Sequence, residues 1–263
     1  MARYQLTLAY DGSDFFGSQR QSKRRTVQGE FEKALRELGW KERVVILSGR
    51  TDTGVHATGQ VVSFDLEWSH ADSDLVRALN SGLPKDMAVR DAKVTHAKFH
   101  PRFDATSRRY RYRLFCQPLR DPFRERFAWR VPPKLNRDAL AETAKLFFGT
   151  HDFSAFGSAT TPKGTTARTV MKAEWTQTGK DEWQFEVQAD AFLYRMARRL
   201  VFVQVAVAQG KIPVEAVAHS LVKQARPEFD RRESAGKRSV LPSGLAPAHG
   251  LTLVEVKYEE SIS

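Results

Sequence analysis

The stretch Ser48–Gly59, "SGRTDTGVHATG", separates two apolar runs and decides how the first half of the chain is interpreted. Before it, residues 43–47, "RVVIL", have the composition of a strand. After it, Val62, Phe64 and Leu66 alternate with polar residues, which is typical of a half-buried strand. The glycine-rich segment therefore joins one strand to the next, whereas the glycine-rich loops of nucleotide-binding folds join a strand to a helix.

The elements on either side of this stretch complete a βαββαβ unit. Alternating apolar residues predict a first strand over residues 4–10. Apolar residues at helical spacing follow, with Thr26 as the N-cap and Gly39 as the stop signal. A second helix opens at Asp72 and must end before Pro84, and "MAVRDAKVTHA" then supplies the last strand.

The second half of the chain predicts the same order of elements. In sequence these are a strand at 105–116, a helix capped by Asn136, a hairpin around 178–180, helices at about 193–208 and after Pro213, and a final strand from Gly250. Each βαββαβ series is a ferredoxin-like unit. We therefore expect an α+β fold of two ferredoxin-like halves, residues 1–104 and 105–263. The halves would join edge to edge into a broad, mainly antiparallel sheet, with helices packed on it and a central cleft.

The composition favours a polyanionic partner and a reducing compartment. The chain has 263 residues, with 42 Lys and Arg against 31 Asp and Glu, and a formal net charge of +11. Cys116 is the single cysteine, which excludes an internal disulfide framework and makes the cytoplasm the expected location. No apolar run reaches the roughly 20 residues that span a bilayer, and the first residues resemble a strand rather than a signal peptide.

Asp52 is the acidic residue of the opening stretch, and it lies on the loop between two predicted central strands. Scaffolds often hold functional groups at such loop tips. The glycines around it permit positive φ angles and the close approach of another backbone. A Walker phosphate loop is excluded because Val55 and His56 stand where Lys and Ser or Thr are required. By local rules alone, Asp52 is either a functional carboxylate or a turn residue that binds its own main chain.

Metal binding and cysteine catalysis are both disfavoured. Asp52 and His56 are four residues apart, as are His96 and His100, but in a loop or strand this spacing does not place side chains on one face. We therefore expect no metal site. Cys116 shares the parity of the predicted core positions of its strand, which favours a core thiol over a nucleophile.

The strand predicted at 107–115, "SRRYRYRLF", has two unlike faces. Arg109, Arg111 and Arg113 alternate with Tyr110 and Tyr112. Arginines on one face and aromatic rings on the other suit phosphate contact and base stacking in one neighbourhood. An edge strand with solvated arginines over a tyrosine-lined core fits the pattern equally well.

The helical segment 191–201, "AFLYRMARRLV", contains arginines in an apolar context. Arg195 and Arg199 are four residues apart and share one face, whereas Arg198 lies beside the apolar residues. A guanidinium directed toward a buried face needs a carboxylate, and Asp52 is one candidate. The alternative is that the methylene groups of Arg198 lie along the apolar surface while its guanidinium reaches solvent.

Taken together, these motifs resemble those of the TruA family of tRNA pseudouridine synthases. "GRTDTGVHA" with Asp52, "RRYRY" with Tyr110 and "FLYRMARR" with Arg198 look like the three active-site motifs of that family, in the family's order. The resemblance covers nearly the whole chain through "YDGSDFFGSQRQ", "NSGLPKDMAV", "FHPRFDATSRRYRY", "HDFSAFGS", "ARTV" and "APAHGLTLVEVKY". It implies the pseudouridine synthase fold, which agrees with two ferredoxin-like halves.

The resemblance also implies an isomerase that acts on tRNA. Members of the family break the N1–C1′ glycosidic bond of uridine, rotate the uracil and rejoin it through C5, without cofactor or metal. A similar protein would modify uridines 38, 39 and 40 in the anticodon arm of tRNA. It would be a homodimer with a basic cleft shared across subunits, and the basic loop at residues 20–25 would contribute to tRNA docking.

By the same resemblance, Asp52 is the catalytic nucleophile and Arg198 is its ion-pair partner. Tyr110 would stack on the uracil of a flipped uridine, and Arg50 would contact the RNA backbone or fill the vacated stack. The route of attack, at C6, at C1′ or by way of ribose proton abstraction, stays open at this stage. An ionised carboxylate suits each route.

Two positions depart from the family pattern. Ser18 stands where Trp is usual in an amino-terminal Gly-Trp-Gln element, and Phe202 stands where Gly commonly follows the helix arginine. Both departures concern local packing and RNA contact, and neither falls on the active-site positions Asp52, Tyr110 and Arg198. The long polar segment around Pro227 is either a mobile surface loop or an insert that faces RNA.

Two other functions compete with an RNA isomerase. A non-catalytic RNA-binding protein with two ferredoxin-like modules would carry RNP1-like aromatic residues on a central strand, and the sequence has no match to that pattern. A methyltransferase would carry a glycine-rich loop between a strand and a helix, but the glycine-rich stretch of this chain lies between two strands. Both alternatives are therefore weaker.

Overall fold

The computed structural model of the chain describes residues 1–132, 135–161, 164–221 and 241–259. The segment around Pro227 lies outside the described residues. In chain order the elements are β1 (Ala2–Tyr10), α1 (Val27–Glu37), β2 (Ile46–Leu47), β3 (His56–Leu66), α2 (Asp72–Gly82), β4 (Met87–Thr95), β5 (Ala105–Cys116), β6 (Trp129–Val131), α3 (Arg137–Leu146), β7 (Gly149–Asp152), β8 (Ala167–Gln177), β9 (Glu182–Ala189), α4 (Met196–Ala208), α5 (Val214–Leu221) and β10 (Leu251–Tyr258).

The chain divides into two compact units. The first unit contains Met1–Arg111, Pro122–Phe127 and Ala248–Ser263, and the second contains Tyr112–Asp121 and Ala128–Pro247. The first unit thus includes β10, the first part of β5 and a short segment after β5. The division of the chain at residue 104 into two ferredoxin-like domains stays a prediction.

The first unit is built on a sheet with the strand order β4-β1-β3-β10. β1 pairs antiparallel with β3 and β4, and β10 runs parallel to β3. The even-numbered residues of β1, from Tyr4 to Tyr10, are buried, as the period-two pattern of the strand predicted. The strand therefore turns one face toward the core of this unit.

The second unit contains the end of β5, from Tyr112 onward, in the strand order β5-β9-β8-β7, with β6 parallel to β5. The predicted hairpin of β8 and β9 is confirmed. α3 packs on α4, α5 and β8, and most residues of α4 are buried. Gln204 of α4 is fully buried, and its Oε1 accepts a hydrogen bond from Trp175 Nε1 at 2.8 Å.

Two helix starts follow the predicted capping residues. Thr26 Oγ1 accepts a hydrogen bond from Gly29 N at 3.3 Å, which satisfies one of the open donors at the start of α1. Asn136 does the same for α3, accepting from the main-chain N–H groups of Asp138 and Ala139. Gly39 has a φ of 85° directly after α1, in the left-handed region that a helix stop favours.

The predicted α+β class with mainly antiparallel strand pairing is confirmed, but several element predictions are wrong. The strand expected at 43–47 is limited to Ile46–Leu47, and Val44 before it is exposed. The long helix begins at Met196 rather than near Leu193, because Arg195 adopts a left-handed φ of 62°. The short strands β6 and β7 were not predicted.

β10 has two neighbours in the strand order. It lies beside β5, the first strand of the second βαββαβ series, as the ferredoxin-like pattern predicted, and it also runs parallel to the start of β3. Thr252 and Leu253 lie opposite His56 and Ala57, so β3 begins at His56 rather than near Gln60. This pairing places β10 beside the strand that leaves the Asp52 loop.

Candidate active site around Asp52

The loop that carries Asp52 connects β2 to β3, and the Asp52 side chain is half-buried. Val55 N donates a hydrogen bond to the Asp52 main-chain oxygen at 3.1 Å, and Gly54 has a φ of 78°. The main chain therefore turns sharply just after Asp52, as the glycines of the stretch predicted. The tight turn uses the Asp52 carbonyl as its acceptor.

Ser18 fixes the main chain directly before Asp52. Ser18 N donates to the Thr51 oxygen at 3.0 Å, and Ser18 Oγ accepts from Thr51 N at 2.8 Å. Gly17 lies against the same segment, since a Cβ there would be 2.9 Å from the Thr51 oxygen. Two backbone segments thus lie in direct contact, and the hydroxyl of the buried Ser18 satisfies a main-chain donor of the loop.

A buried polar network holds the start of the same loop. Gln60 Nε2 donates to the Gly49 oxygen at 2.9 Å, and Gln60 Oε1 accepts from Ser48 Oγ at 2.7 Å. The Tyr10 hydroxyl and Thr51 Oγ1 are hydrogen-bonded to each other at 2.9 Å. Because Tyr10 belongs to β1 and Gln60 to β3, two strands of the sheet hold the start of the loop.

Tyr110 of β5 lies in the electrostatic neighbourhood of Asp52. The side chain is buried, and burial is the largest cause that raises the pKa of its hydroxyl above the ordinary value. The charges of Tyr10 and Asp52 raise this pKa further, while Arg108 opposes them. The Asp52 charge therefore acts on the Tyr110 hydroxyl, and burial keeps the Tyr110 phenol protonated at neutral pH.

The alternation predicted for β5 is confirmed. Tyr110, Tyr112 and Leu114 are buried, while Arg113 is exposed and Arg111 is half-buried. The tyrosines therefore face the protein interior. Cys116 is half-buried, and burial raises the pKa of its thiol, which disfavours the reactive thiolate.

His56 has a structural role in the site that the sequence did not indicate. Its Nδ1 accepts a hydrogen bond from Gly12 N at 2.9 Å, and its Nε2 donates to the His249 oxygen at 3.0 Å. Its ring also lies against Phe127, with 5.0 Å between ring centroids. Burial lowers the pKa of His56 despite the nearby Asp11. Both ring nitrogens therefore bind protein groups.

Arg198 lies in the first turn of α4, in the second unit. Its Nε donates to the Ala246 oxygen at 2.8 Å, and Ala246 N donates to the Arg198 oxygen at 3.3 Å. The half-buried guanidinium also lowers the pKa of the nearby Tyr112, against the larger effect of burial. Asp52 belongs to the first unit, and its predicted ion pair with Arg198 stays a prediction.

Phe202, one of the two departures from the family pattern, packs against a glycine. A Cβ at Gly244 would lie 2.4 Å from the ring of Phe202, and Gly244 has a φ of 138°. Arg199 donates to the Gly244 oxygen at 3.0 Å and has its guanidinium 5.8 Å from the centre of the Phe202 ring. The larger side chain at 202 is thus accommodated by the glycine opposite.

The basic loop at 20–25 contains both paired and exposed cations. Arg25 makes a bidentate ion pair with Asp86, and Arg20 bonds to the buried carboxylate of Glu32. These two arginines are occupied in holding the fold. Lys23 and Arg24 are exposed, and Arg24 lies 4.4 Å from the centre of the Phe16 ring. Arg50, two residues before Asp52, is also exposed.

Within the described ranges, no three His, Cys, Asp or Glu side chains are grouped so that they could hold a metal ion. Over the same part of the chain, no helix is both long and apolar enough to cross a bilayer.

Comparison with known proteins identifies the class and then the family. Residues 7–104 and 143–259 match the family model described as "tRNA pseudouridine synthase". The chain is 39% identical over 259 residues to "tRNA pseudouridine synthase A 1" of Bacillus cereus, covering 98% of this chain and 99% of the relative. It is also 39% identical over 259 residues to "tRNA pseudouridine synthase A" of Bacillus subtilis, with the same shares covered. These matches place the chain among the RNA-modifying isomerases. More particularly, it belongs to the tRNA pseudouridine synthase family, which confirms the TruA resemblance.

Among solved structures, the chain shows a distant likeness to the archaeal "box H/ACA sRNP Nop10-Cbf5 complex". The aligned part covers 83% of this chain and 43% of that chain, with 12% sequence identity and a TM-score of 0.37.

Proposed function

We propose that the protein converts uridine to pseudouridine at positions 38, 39 and 40 of the tRNA anticodon arm, with Asp52 as the nucleophile. The observation that carries this proposal is the position of Asp52. The main chain directly before Asp52 is held by hydrogen bonds with Ser18 and Gln60, and the charge of its carboxylate acts on the buried Tyr110 in the same unit. A nucleophile held in this way is oriented before the substrate arrives.

The reaction balances within the substrate. The N1–C1′ bond of uridine breaks, the uracil rotates, and a C5–C1′ bond forms in its place. C5 loses a proton and N1 gains one, so no oxidant, reductant or external group is consumed. The Asp52 carboxylate would supply an electron pair in each route, as a nucleophile in addition at C6 or bonding to C1′, and as the base that takes up the proton in ribose proton abstraction.

The target uridine must leave its stack before Asp52 can reach it. Bases in a stem are inaccessible to side chains, so enzymes of this kind extrude the nucleotide into a pocket. The exposed Arg50 would contact the RNA backbone or occupy the vacated position. The backbone of the loop is already held by Ser18 and Gln60, so extrusion would not require the loop itself to refold.

Tyr110 would stack on the flipped uracil. Its raised pKa means that its hydroxyl can donate or accept a hydrogen bond but does not act as a phenolate base at neutral pH. Its place near Asp52 would put the base and the nucleophile in one pocket. Arg198 would keep the Asp52 carboxylate ionised and oriented.

The proposed partners follow from charge and family. The substrate would be tRNA, which suits the net charge of +11. The enzyme would act as a homodimer in the cytoplasm, without cofactor or metal. The exposed Lys23 and Arg24 are the members of the basic loop that we expect to contact tRNA.

The direct test is incubation of the purified protein with an unmodified tRNA transcript that carries uridines at the three positions. Chemical labelling should map new pseudouridines to the anticodon arm and nowhere else. A transcript with cytidine at those positions is the matched control and should stay unlabelled. A wild-type protein that forms no pseudouridine would overturn the proposal, and tight tRNA binding without product would favour a non-catalytic RNA-binding protein.

A further inference from the structure

The turn between β4 and β5 carries an exposed aromatic pair. Phe103 is 75% exposed, and its ring stacks on the His100 ring with 4.2 Å between centroids and 29° between planes. The Arg102 guanidinium lies 5.8 Å from the centre of the Phe103 ring. One face of this small cluster, His100, Arg102 and Phe103, is thus aromatic and cationic together.

The turn that presents the cluster is tightly bonded. His100 N donates to Asp104 Oδ2 at 2.8 Å, and Asp104 N donates to the His100 oxygen at 3.0 Å. The Tyr258 hydroxyl of β10 donates to the Pro101 oxygen at 2.9 Å. His100 Nδ1 accepts from Phe103 N at 3.3 Å. The exposure of Phe103 therefore belongs to an ordered turn, and its ring is oriented without a ligand.

The turn is also linked to the Asp52 loop by one guanidinium. Arg108 Nη2 donates to the Arg102 oxygen at 2.5 Å and to the Ser48 oxygen at 3.2 Å. Ser48 opens the loop that leads to Asp52 four residues later. The main chain of the turn at Arg102 therefore lies close to the start of the Asp52 loop, in the same unit as the aromatic cluster.

Single exposed apolar residues are common and need no special explanation. This one differs because its ring is stacked on a second ring, accompanied by a cation and held beside the proposed active site. Unpaired nucleobases bind to proteins by stacking on aromatic side chains next to cationic groups. A duplex offers no free base face to such a surface.

We propose that Phe103 and His100 form a stacking platform for an unpaired nucleobase of the RNA substrate, next to the uridine that reacts, with Arg102 contacting the adjoining phosphate. This inference rests on the proposed function, since the platform is placed by its proximity to the Asp52 loop. The turn would then hold the RNA strand on either side of the flipped nucleotide.

The test compares Phe103→Ala and Phe103→Trp with Phe148→Ala, a matched control in which a 63% exposed phenylalanine is removed elsewhere. Binding is measured with an anticodon stem-loop RNA and with a fully paired duplex of the same length. For Phe103→Ala we expect stem-loop binding to weaken about 5- to 100-fold, with little change for the duplex. Phe103→Trp should bind the stem-loop about as well as wild type, and the fluorescence of the introduced indole should be quenched by the bound RNA.

Equal stem-loop affinity for Phe103→Ala, Phe148→Ala and wild type would overturn the platform. Equal losses for the stem-loop and the duplex would overturn it as well, because they would indicate a general surface effect. The binding readout does not depend on turnover. A wild-type protein that binds the stem-loop through Phe103 but forms no pseudouridine would therefore contradict the proposed function while supporting the platform.

Discussion

Ser18 binds the main chain of Thr51 from both sides, as donor to its oxygen at 3.0 Å and as acceptor of its N–H at 2.8 Å. The residue next to Thr51 is Asp52, so this contact sets the direction of the chain at the proposed nucleophile. Members of the TruA family usually have Trp at the position of Ser18. An indole can donate a hydrogen bond but cannot accept one, so this chain holds the loop by an interaction that Trp cannot make.

Replacing Ser18 by Ala should therefore impair the Asp52 loop. The Thr51 N–H would lose its acceptor in a buried place, which costs about 1–3 kcal/mol of unfolding free energy. We also expect kcat/KM for pseudouridine formation to fall about tenfold, with tRNA affinity nearly unchanged. Ser69→Ala, at an exposed serine of the same unit, is the control. Identical rates and stabilities for the two variants would show that Ser18 does not position the loop.

Gly12 and Gly49 form a matched pair for testing close backbone contact. A Cβ at Gly12 would lie 2.0 Å from the Val55 oxygen, whereas a Cβ at Gly49 meets nothing within 4 Å. Gly12→Ala should lower the unfolding free energy by about 2–3 kcal/mol or prevent folding. Gly49→Ala should change it by less than about 1 kcal/mol. Urea unfolding measures both, and a Gly12→Ala protein as stable as Gly49→Ala would contradict the contact.

The pH dependence of stability should report on His56. Burial lowers its pKa in the folded protein, so the unfolded chain binds the proton more readily. The neutral His56 ring contributes fully to the free energy of unfolding above the unfolded pKa of about 6.5. This contribution is lost as the pH falls below that value. His56→Gln should flatten this acid-side decline, while His70→Gln, at an exposed histidine, should not. Parallel stability curves from pH 5 to 8 for both variants and wild type would contradict this account.

Arg198→Ala should lower both activity and stability. The variant loses the hydrogen bond to the Ala246 oxygen and the proposed partner of Asp52. We expect kcat to fall by about tenfold or more, and Arg198→Lys to restore only part of it, because an ammonium lacks the planar set of donors. Lys211→Ala, at an exposed cation of the second unit, is the control. An unchanged rate and melting temperature in Arg198→Ala would remove the ion-pair proposal.

Local features of the fold were well predicted because they depend on neighbouring residues. The Thr26 cap and the hairpin of β8 and β9 follow from short-range rules and are confirmed. The glycines of the Asp52 stretch were predicted to permit backbone approach. At Gly59, a Cβ would lie 2.3 Å from the Val254 oxygen of β10, so the approaching backbone is that strand.

Contacts between distant parts of the chain could not be predicted from periodicity. The parallel pairing of β10 with the start of β3 depends on which strand edges meet, whereas the repeated βαββαβ pattern predicted only the place of β10 beside β5. The contacts of Ser18 with Thr51 and of His56 with the His249 oxygen join segments far apart in sequence. Motif resemblance proposed Asp52, Tyr110 and Arg198 as site residues, but the groups that hold the loop emerge only from the three-dimensional contacts.

The central claim is that the Asp52 carboxylate performs the chemistry, and a single-turnover assay of Asp52→Asn on unmodified tRNA tests it most directly. Asn preserves the size of the side chain and removes its charge. The control is Asp91→Asn, at an exposed aspartate of β4. We predict that Asp52→Asn forms no detectable pseudouridine while its tRNA affinity stays within about twofold of wild type, and that Asp91→Asn reacts normally. Pseudouridine formation by Asp52→Asn at a rate near that of the control would contradict the account.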